Sequence, residues 1–344
     1  MSTMNSRYKL SIVEEWPNDF QDLAIYDNLD GSFELAALSS SSLSYWKSSS
    51  NEPKVVSAGR YRKDTLYISK HPDALYLWAY NETSSQIDSI NLSTNKVYHI
   101  AMPDNFVLNH VTYYCSARLD KTICFVQGTV GGWSTLYYSE LSSEGSFKAW
   151  ADWAREWVGK PVVVEADSTL WIYATVCNEN DYQSLGYKWC WTAALDWGQR
   201  HQIVHIGTDW HINSIAGVNG RRTGSGHGII VTNAEGAHFI KAEGGHNDWP
   251  AMTGKTIEDS FYRSSVTKAG GTTSGNVGGF VHLKNGVLSM IDNKKDALHT
   301  DSLEEDVMAF SVSQLSEDDD KSTGFPIVFC KGSATYLARI VSVV

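Results

Sequence analysis

A chain of 344 residues with 28 Lys and Arg against 39 Asp and Glu carries a formal charge of −11, with 19 % charged and 42 % hydrophobic residues. That composition excludes a disordered chain and a nucleic-acid partner, which would need clustered cations to neutralise phosphates. No run of eighteen apolar residues is present to cross a membrane as a helix.

Along the chain, helix-period patterns are nearly absent. The opening MSTMNSRYKL lacks the apolar core of a secretory signal, which leads to the expectation of a cytosolic protein. Tyr8–Val13 reads as a strand on its own, outside the repeating units. Beyond it, short runs rich in Val, Ile, Tyr, Trp and Phe alternate with Gly, Ser, Asn and Asp, the pattern of strands and turns. The strand opening the clearest hairpin of each unit begins near Leu23, Leu75, Thr122, Leu170, Gly228, Gly279 and Pro326. The intervals are 52, 47, 48, 58, 51 and 47 residues. A preceding strand begins near Leu66, Val111, Val162, Ile212, Ser264 and Val307.

A period near fifty with about four strands per unit predicts an all-β fold, a single β-propeller domain over residues 1–344. The repeat count gives seven blades, with six as the alternative if the two terminal hairpins share one sheet. Tyr8–Val13 is expected to close the last blade beside the carboxy-terminal strands, because a ring leaves two edges exposed unless its termini pair. The 13 Trp and 17 Tyr then fill the wedges between blades. One segment breaks the period. Residues 147–159 place Trp150, Trp153 and Trp157 at helical spacing, which predicts a short helical insertion and an aromatic wall.

Five widely spaced cysteines with no CxxC pair predict reduced, mostly buried thiols. No metal-ligand spacing occurs among the histidines, and no nucleophile elbow, P-loop or dinucleotide fingerprint is present. Neither a metal nor a cofactor is expected. The loops entering the innermost strands are better stocked. They carry Tyr61, Arg62 and Asp64; Asn109 and His110; Asp209, Trp210 and His211; Tyr262 and Arg263; and Glu305 with Asp306. Polar and aromatic groups meeting at a channel mouth predict one small-molecule site. His211 and His110 are the candidate proton carriers, with Asp209 to orient the former. Trp210, Tyr262, Arg263, Arg62 and Trp157 are the candidate substrate contacts.

Two stretches, Leu23–Trp46 and Gly226–Trp249, resemble the blade repeat of fungal fucose-binding lectins: strand, acidic or amide turn with Gly, second strand, then a Gly/Ser-rich loop ending in Trp. That resemblance implies a propeller with sugar sites between blades. The arginine those sites use is replaced by Ala24 and Ile229, and Glu243 is one place out of line, while Trp46 and Trp249 keep the stacking position. In size, repeat style and missing sugar ligands the chain also resembles the fungal tropolone–sesquiterpene hetero-Diels–Alderases. This second resemblance implies a cofactor-independent cyclase acting on apolar small molecules. It would dehydrate a hydroxymethyl tropolone to a quinone methide and join that to a terpene. A carbohydrate-binding lectin with degenerate sites is the alternative.

Overall fold

The computed structural model describes residues 8–28, 30–50, 52–71, 74–116, 121–141, 145–149, 157–166, 169–177, 186–193, 214–218, 228–233, 236–241, 266–269, 279–284, 286–294, 297–312 and 325–343. Every named element among them is a β-strand. The alternating β-branched and aromatic runs, each cut by a Gly, Asn or Asp turn, leave the backbone that one option.

The strands assemble into seven antiparallel sheets. β1 (Tyr8–Trp16) belongs to the last of them. The first sheet holds β2 (Asp22–Asp27), β3 (Phe33–Leu38), β4 (Ser42–Lys47) and β5 (Lys54–Ala58). The second holds β6 (Tyr67–His71), β7 (Ala74–Asn81), β8 (Gln86–Asn91) and β9 (Val97–Ala101), and the third β10 (Phe106–Ser116), β11 (Lys121–Val130), β12 (Trp133–Leu141) and β13 (Lys148–Ala149). The fourth has β14 (Trp157–Ala166), β15 (Thr169–Cys177) and β16 (Gly186–Ala193), and the fifth β17 (Ser214–Val218), β18 (Gly228–Asn233) and β19 (Gly236–Lys241). The sixth has β20 (Val266–Ala269), β21 (Gly279–Lys284), β22 (Val287–Lys294) and β23 (Ala297–Glu304). In the seventh, β24 (Val307–Val312), β25 (Phe325–Lys331) and β26 (Ala334–Ser342) are completed by β1 in the order β1-β26-β25-β24.

The expected pairing of the two chain ends is therefore present, with Tyr8 opposite Ser342 and Trp16 opposite Thr335. The two terminal hairpins, β2–β3 and β25–β26, lie in different sheets. Glu14 accepts the Ser49 amide on both carboxylate oxygens, at 3.1 and 3.0 Å, which ties β1 to the turn after β4. Thr335 adds a 2.6 Å bond from its hydroxyl to the Asn18 carbonyl.

The first strands of successive sheets are neighbours: β2 with β6, β6 with β10, β10 with β14, β14 with β17, β17 with β20, β20 with β24, and β24 with β2. Packing reflects that arrangement. Among the described residues each apolar cluster is shared between two neighbouring sheets; Trp16, Phe20, Leu35 and Trp46 meet Val328 and Leu337, whereas Leu38, Leu43 and Ala36 meet Ile68, Leu77 and Ile90. β3 is buried at every position because both its faces are covered, while β5, the outer strand, is exposed or half-exposed throughout.

The expected helix over 147–159 is contradicted at both ends. Lys148–Ala149 pairs with Tyr138 and Tyr137 as an outer strand, and Trp157 begins β14 opposite Val176. At Trp157 sheet pairing overrides the helical spacing, and the β-branched run Val162–Val164 carries β14 onward. Trp150 and Trp153 lie outside the described residues, as does the acidic run 317–320.

Candidate functional site

The loops that enter the inner strands bring together residues from four consecutive sheets. Asp22 opens β2, Arg62 and Asp64 lie in the turn before β6, Asn109 and His110 sit near the start of β10, and Lys160 sits near the start of β14.

Asp22 organises the group. Its residue is 9 % exposed. One carboxylate oxygen accepts the Leu23 amide at 2.9 Å and the other the Asp64 amide at 2.8 Å. Those two donors favour the anion, and so does Lys160 nearby. Burial and the like charge of Asp64 outweigh them and push the Asp22 carboxyl up to about 7. Asp64 occupies the left-handed region at φ 60°, a conformation that Asp tolerates better than most residues. That turn is what aims its amide at Asp22.

His110 behaves in the opposite sense. Crowding by the protein, then the positive charges of Lys160 and Arg62, hold its imidazole below the ordinary histidine value, against a smaller upward pull from Asp64. It keeps an exposed surface all the same. The result near neutral pH is a neutral imidazole and a protonatable carboxyl that share Asp64 and Lys160 as charged neighbours, the two states that acid–base chemistry uses.

Arg62 does not reach outward. Its Nη1 donates to the Leu108 carbonyl at 2.5 Å and its Nη2 to the Asn109 carbonyl at 2.9 Å. Thr65 caps the same turn by donating from Oγ1 to the Arg62 carbonyl at 2.7 Å. Lys160 is exposed, and among the described residues its ammonium forms no ion pair within 4 Å. Beside the group, Asp19, Phe20, Gln21, Ser39, Ser40, Lys63 and Met308 line an open cleft of about 310 Å³. Gln21 and Lys63 adjoin Asp22 and Asp64 in sequence, so the bond between those two aspartates also ties the cleft walls. The lining mixes charged, hydroxyl and amide groups with one aromatic ring.

Of the residues expected at the site, the structure brings His110 and Arg62 together. Asp209, Trp210, His211, Tyr262 and Arg263 lie outside the described residues, and of Trp157 only the backbone is described. Tyr61 is 6 % exposed and serves the joint between the first two sheets. Its hydroxyl donates to Asp88 at 2.9 Å, and Asn81, Gln86 and His99 complete that buried carboxylate at 2.9, 3.2 and 2.7 Å. Glu305 and Asp306 form the turn into β24, where Glu304 pairs with Lys331.

The sequence reading missed Asp22 and Lys160. A signal existed for each: Asp22 immediately precedes the apolar run Leu23–Ile25, and Lys160 stands between Gly159 and Pro161 in a strand, a composition that marks a bulge.

Trp46, kept as a stacking face in the lectin-like outline, is 2 % exposed, stacked on Phe20 at 5.8 Å and edge-on to Trp16 at 5.4 Å. Ala24 is buried in the next joint. The first lectin-like position is therefore packed shut by core. Glu243 and Trp249 lie outside the described residues. Cys124 and Cys330 are buried free thiols and Cys115 is a half-buried one. Burial pushes the Cys124 and Cys330 thiols up, away from reactivity. No group of three or more metal-ligating side chains occurs among the described residues, and no helix among them is long and apolar enough to cross a membrane.

No family model matches the chain, and no curated protein matches it. Solved structures do. BBS1N, in a crystal structure with ARL6DN, is 14 % identical over 97 % of both chains with a TM-score of 0.57. The Dos1 propeller is 9 % identical over 96 % of this chain and 95 % of its own, with a TM-score of 0.55. A puromycin-hydrolyzing peptidase of Mycobacterium tuberculosis is 9 % identical over 98 % of this chain and 53 % of its own, with a TM-score of 0.56. At such identities the likeness carries the fold and nothing finer: the chain has a β-propeller fold.

Proposed function

We propose that the chain is a single seven-bladed propeller closed by β1, and that the entry end of its inner strands is an acid–base site for a hydroxylated small molecule. The observation that carries this reading is a carboxyl held protonated up to about pH 7, Asp22, and a neutral imidazole, His110, that have Asp64 and the cation of Lys160 as common neighbours. Loss of water from a hydroxymethyl arene needs those parts. Asp22 gives its proton to the leaving hydroxyl as the C–O bond breaks. His110 takes the proton of the ring hydroxyl, whose electron pair becomes the carbonyl of a quinone methide, and Lys160 stabilises the oxygen while charge develops there. A proton passing from imidazolium to carboxylate resets the pair. Asp22, His110 and Lys160 are described residues; the catalytic pair anticipated at Asp209 and His211 joins them as part of the proposal.

The finer form of the reading takes up the resemblance to the hetero-Diels–Alderases. The quinone methide and a terpene alkene would close a ring by forming one C–O and one C–C bond, with no further proton transfer. Holding two reactants in one orientation is worth up to roughly 7–11 kcal/mol. Buried Trp46 and Ala24 weigh against the lectin alternative at the first of its two positions.

The test is turnover of a hydroxymethyl tropolone with humulene, monitored by mass spectrometry. Asp22→Asn and His110→Gln are expected to lower the rate of water loss about 100-fold or more, with circular dichroism unchanged. Full activity in both variants, or a sugar that inhibits haemagglutination by the protein, would overturn the reading.

A further inference from the structure

We propose that Arg62 and Thr112 are positioning residues, each clamping a β-bulge in the following sheet, and that the two clamped bulges place His110 and Lys160 at the entry end. What His110 and Lys160 do there rests on the acid–base function proposed for the site; how they are placed does not.

The register shows the need for a clamp. In β10, Leu108 lies opposite Gly128 and His110 opposite Gln127, so Asn109 is one residue too many. Residues two apart on a regular strand share a face, yet Leu108 is 5 % exposed within the apolar cluster between the second and third sheets, and His110 is exposed. The extra residue separates them. Were Asn109 held in register, with no bulge, His110 would follow Leu108 into the core face.

A bulge also breaks the ladder and leaves carbonyls to be satisfied from elsewhere. Arg62 meets two of them, Leu108 and Asn109, with the two ends of one planar fork reaching across from the preceding sheet. The partner strand accommodates the bulge with a glycine. A Cβ on Gly128 would lie 2.2 Å from the Val107 carbonyl oxygen and 2.6 Å from Phe106 Cζ.

The same device recurs one sheet on. In β14, Val158 lies opposite Thr175 and Val162 opposite Tyr173, so Gly159, Lys160 and Pro161 form a larger bulge. Pro161 is buried and its carbonyl accepts a 2.5 Å bond from Thr112 Oγ1 on β10, while Lys160 stands out into solvent. Each clamp thus comes from one sheet and fixes the next.

The experiment needs no substrate. Ring signals of His110, assigned through His110→Gln, are titrated by NMR in the wild type, Arg62→Lys and Thr112→Val. Arg62→Lys keeps the positive charge and loses the fork; Thr112→Val keeps the shape and loses the hydroxyl. Release of either bulge changes the distance of His110 from Lys160 and its burial, and in each variant the His110 midpoint is expected to move from the wild-type value. Amide exchange at Leu108–Val111 is expected to quicken at least tenfold in Arg62→Lys. Wild-type titration and wild-type exchange in both variants would overturn the proposal, even if their Tm fell, since a purely structural role moves Tm alone. Should wild-type His110 itself titrate at the ordinary value, the acid–base reading fails, and the exchange data still decide whether the clamp exists.

Discussion

Asp22 shows how one buried group ties stability to chemistry. Its folded value of about 7 stands above the ordinary 3.8. Between those values the folded chain holds a proton that the unfolded chain has released, so this contribution to stability is complete below about pH 4 and is lost as pH rises through 7. The full span amounts to about 4 kcal/mol. Chemical denaturation at pH 5 and pH 8 is expected to show the wild type weaker at pH 8. Asp22→Asn should flatten that slope, and Asp64→Asn should reduce it by removing the like charge while leaving the backbone bond to Asp22 in place. On the proposed reaction, Asp22 and His110 would set the pH dependence: activity would need Asp22 protonated, below about 7, and His110 neutral, above its lowered value. A narrow bell with its alkaline limb near pH 7 is expected in kcat/KM, and the alkaline limb should move down in Asp64→Asn.

At the scale of the element, bulges rather than loops do the positioning. β10 depends on Gly128 as much as on Asn109, because any side chain there collides with backbone. Gly128→Ala is expected to cost about 1–3 kcal/mol in urea denaturation. Gly131→Ala is the fitting contrast: φ is +58° but nothing lies within 4 Å, so the expected cost is the smaller left-handed penalty of about 1 kcal/mol. Equal losses in the two variants would show that the crowding at Gly128 relaxes freely. These features explain which parts of the site could be read from sequence. Strand starts at Leu75, Thr122, Leu170, Gly228 and Gly279 fall within a residue of β7, β11, β15, β18 and β21, since apolar alternation and turn residues are local signals. Among the inner strands, Leu66 and Val307 also fall within a residue of the starts of β6 and β24, and two placements depart furthest. Val111 and Val162 each stand five residues inside β10 and β14, because bulges interrupt the alternation that marks a strand start. Asp22 went unseen for a related reason. Its burial comes from Asp64, 42 residues away, and the packing of the second sheet against β2, and the apolar run Leu23–Ile25 beside it marks only the strand start. Trp157 misled in the other direction, because its partner Val176 is distant in sequence while the helical spacing around it is local.

At the scale of the whole molecule, no sheet can stand alone. Among the described residues the apolar clusters lie between sheets, so the first, second and seventh sheets each depend on both neighbours, and a fifty-residue period was legible because that requirement repeats. Closure is the step a period cannot show, since it joins residues more than 300 positions apart. Here the pairing of β1 with β26, the Glu14 bond to Ser49 and the Thr335 bond to Asn18 all act on one joint, between the seventh and first sheets. If the hold of β1 on β26 limits the stability of the fold, a covalent link between those two strands must stabilise the whole of it. Lys9 and Val341 are register partners with partly open environments. Lys9→Cys with Val341→Cys, oxidised, is expected to raise stability by about 2–4 kcal/mol through the long loop it closes. Reduction should return the protein to the wild-type Tm. A chain lacking residues 1–16 presents the β26 edge bare and is expected to self-associate through it, visible as a concentration-dependent rise in mass by light scattering. An oxidised variant no more stable than its reduced form would mean that the ring opens first at another joint. The weakest seam would then be sought away from β1, at a boundary held by packing without strand exchange.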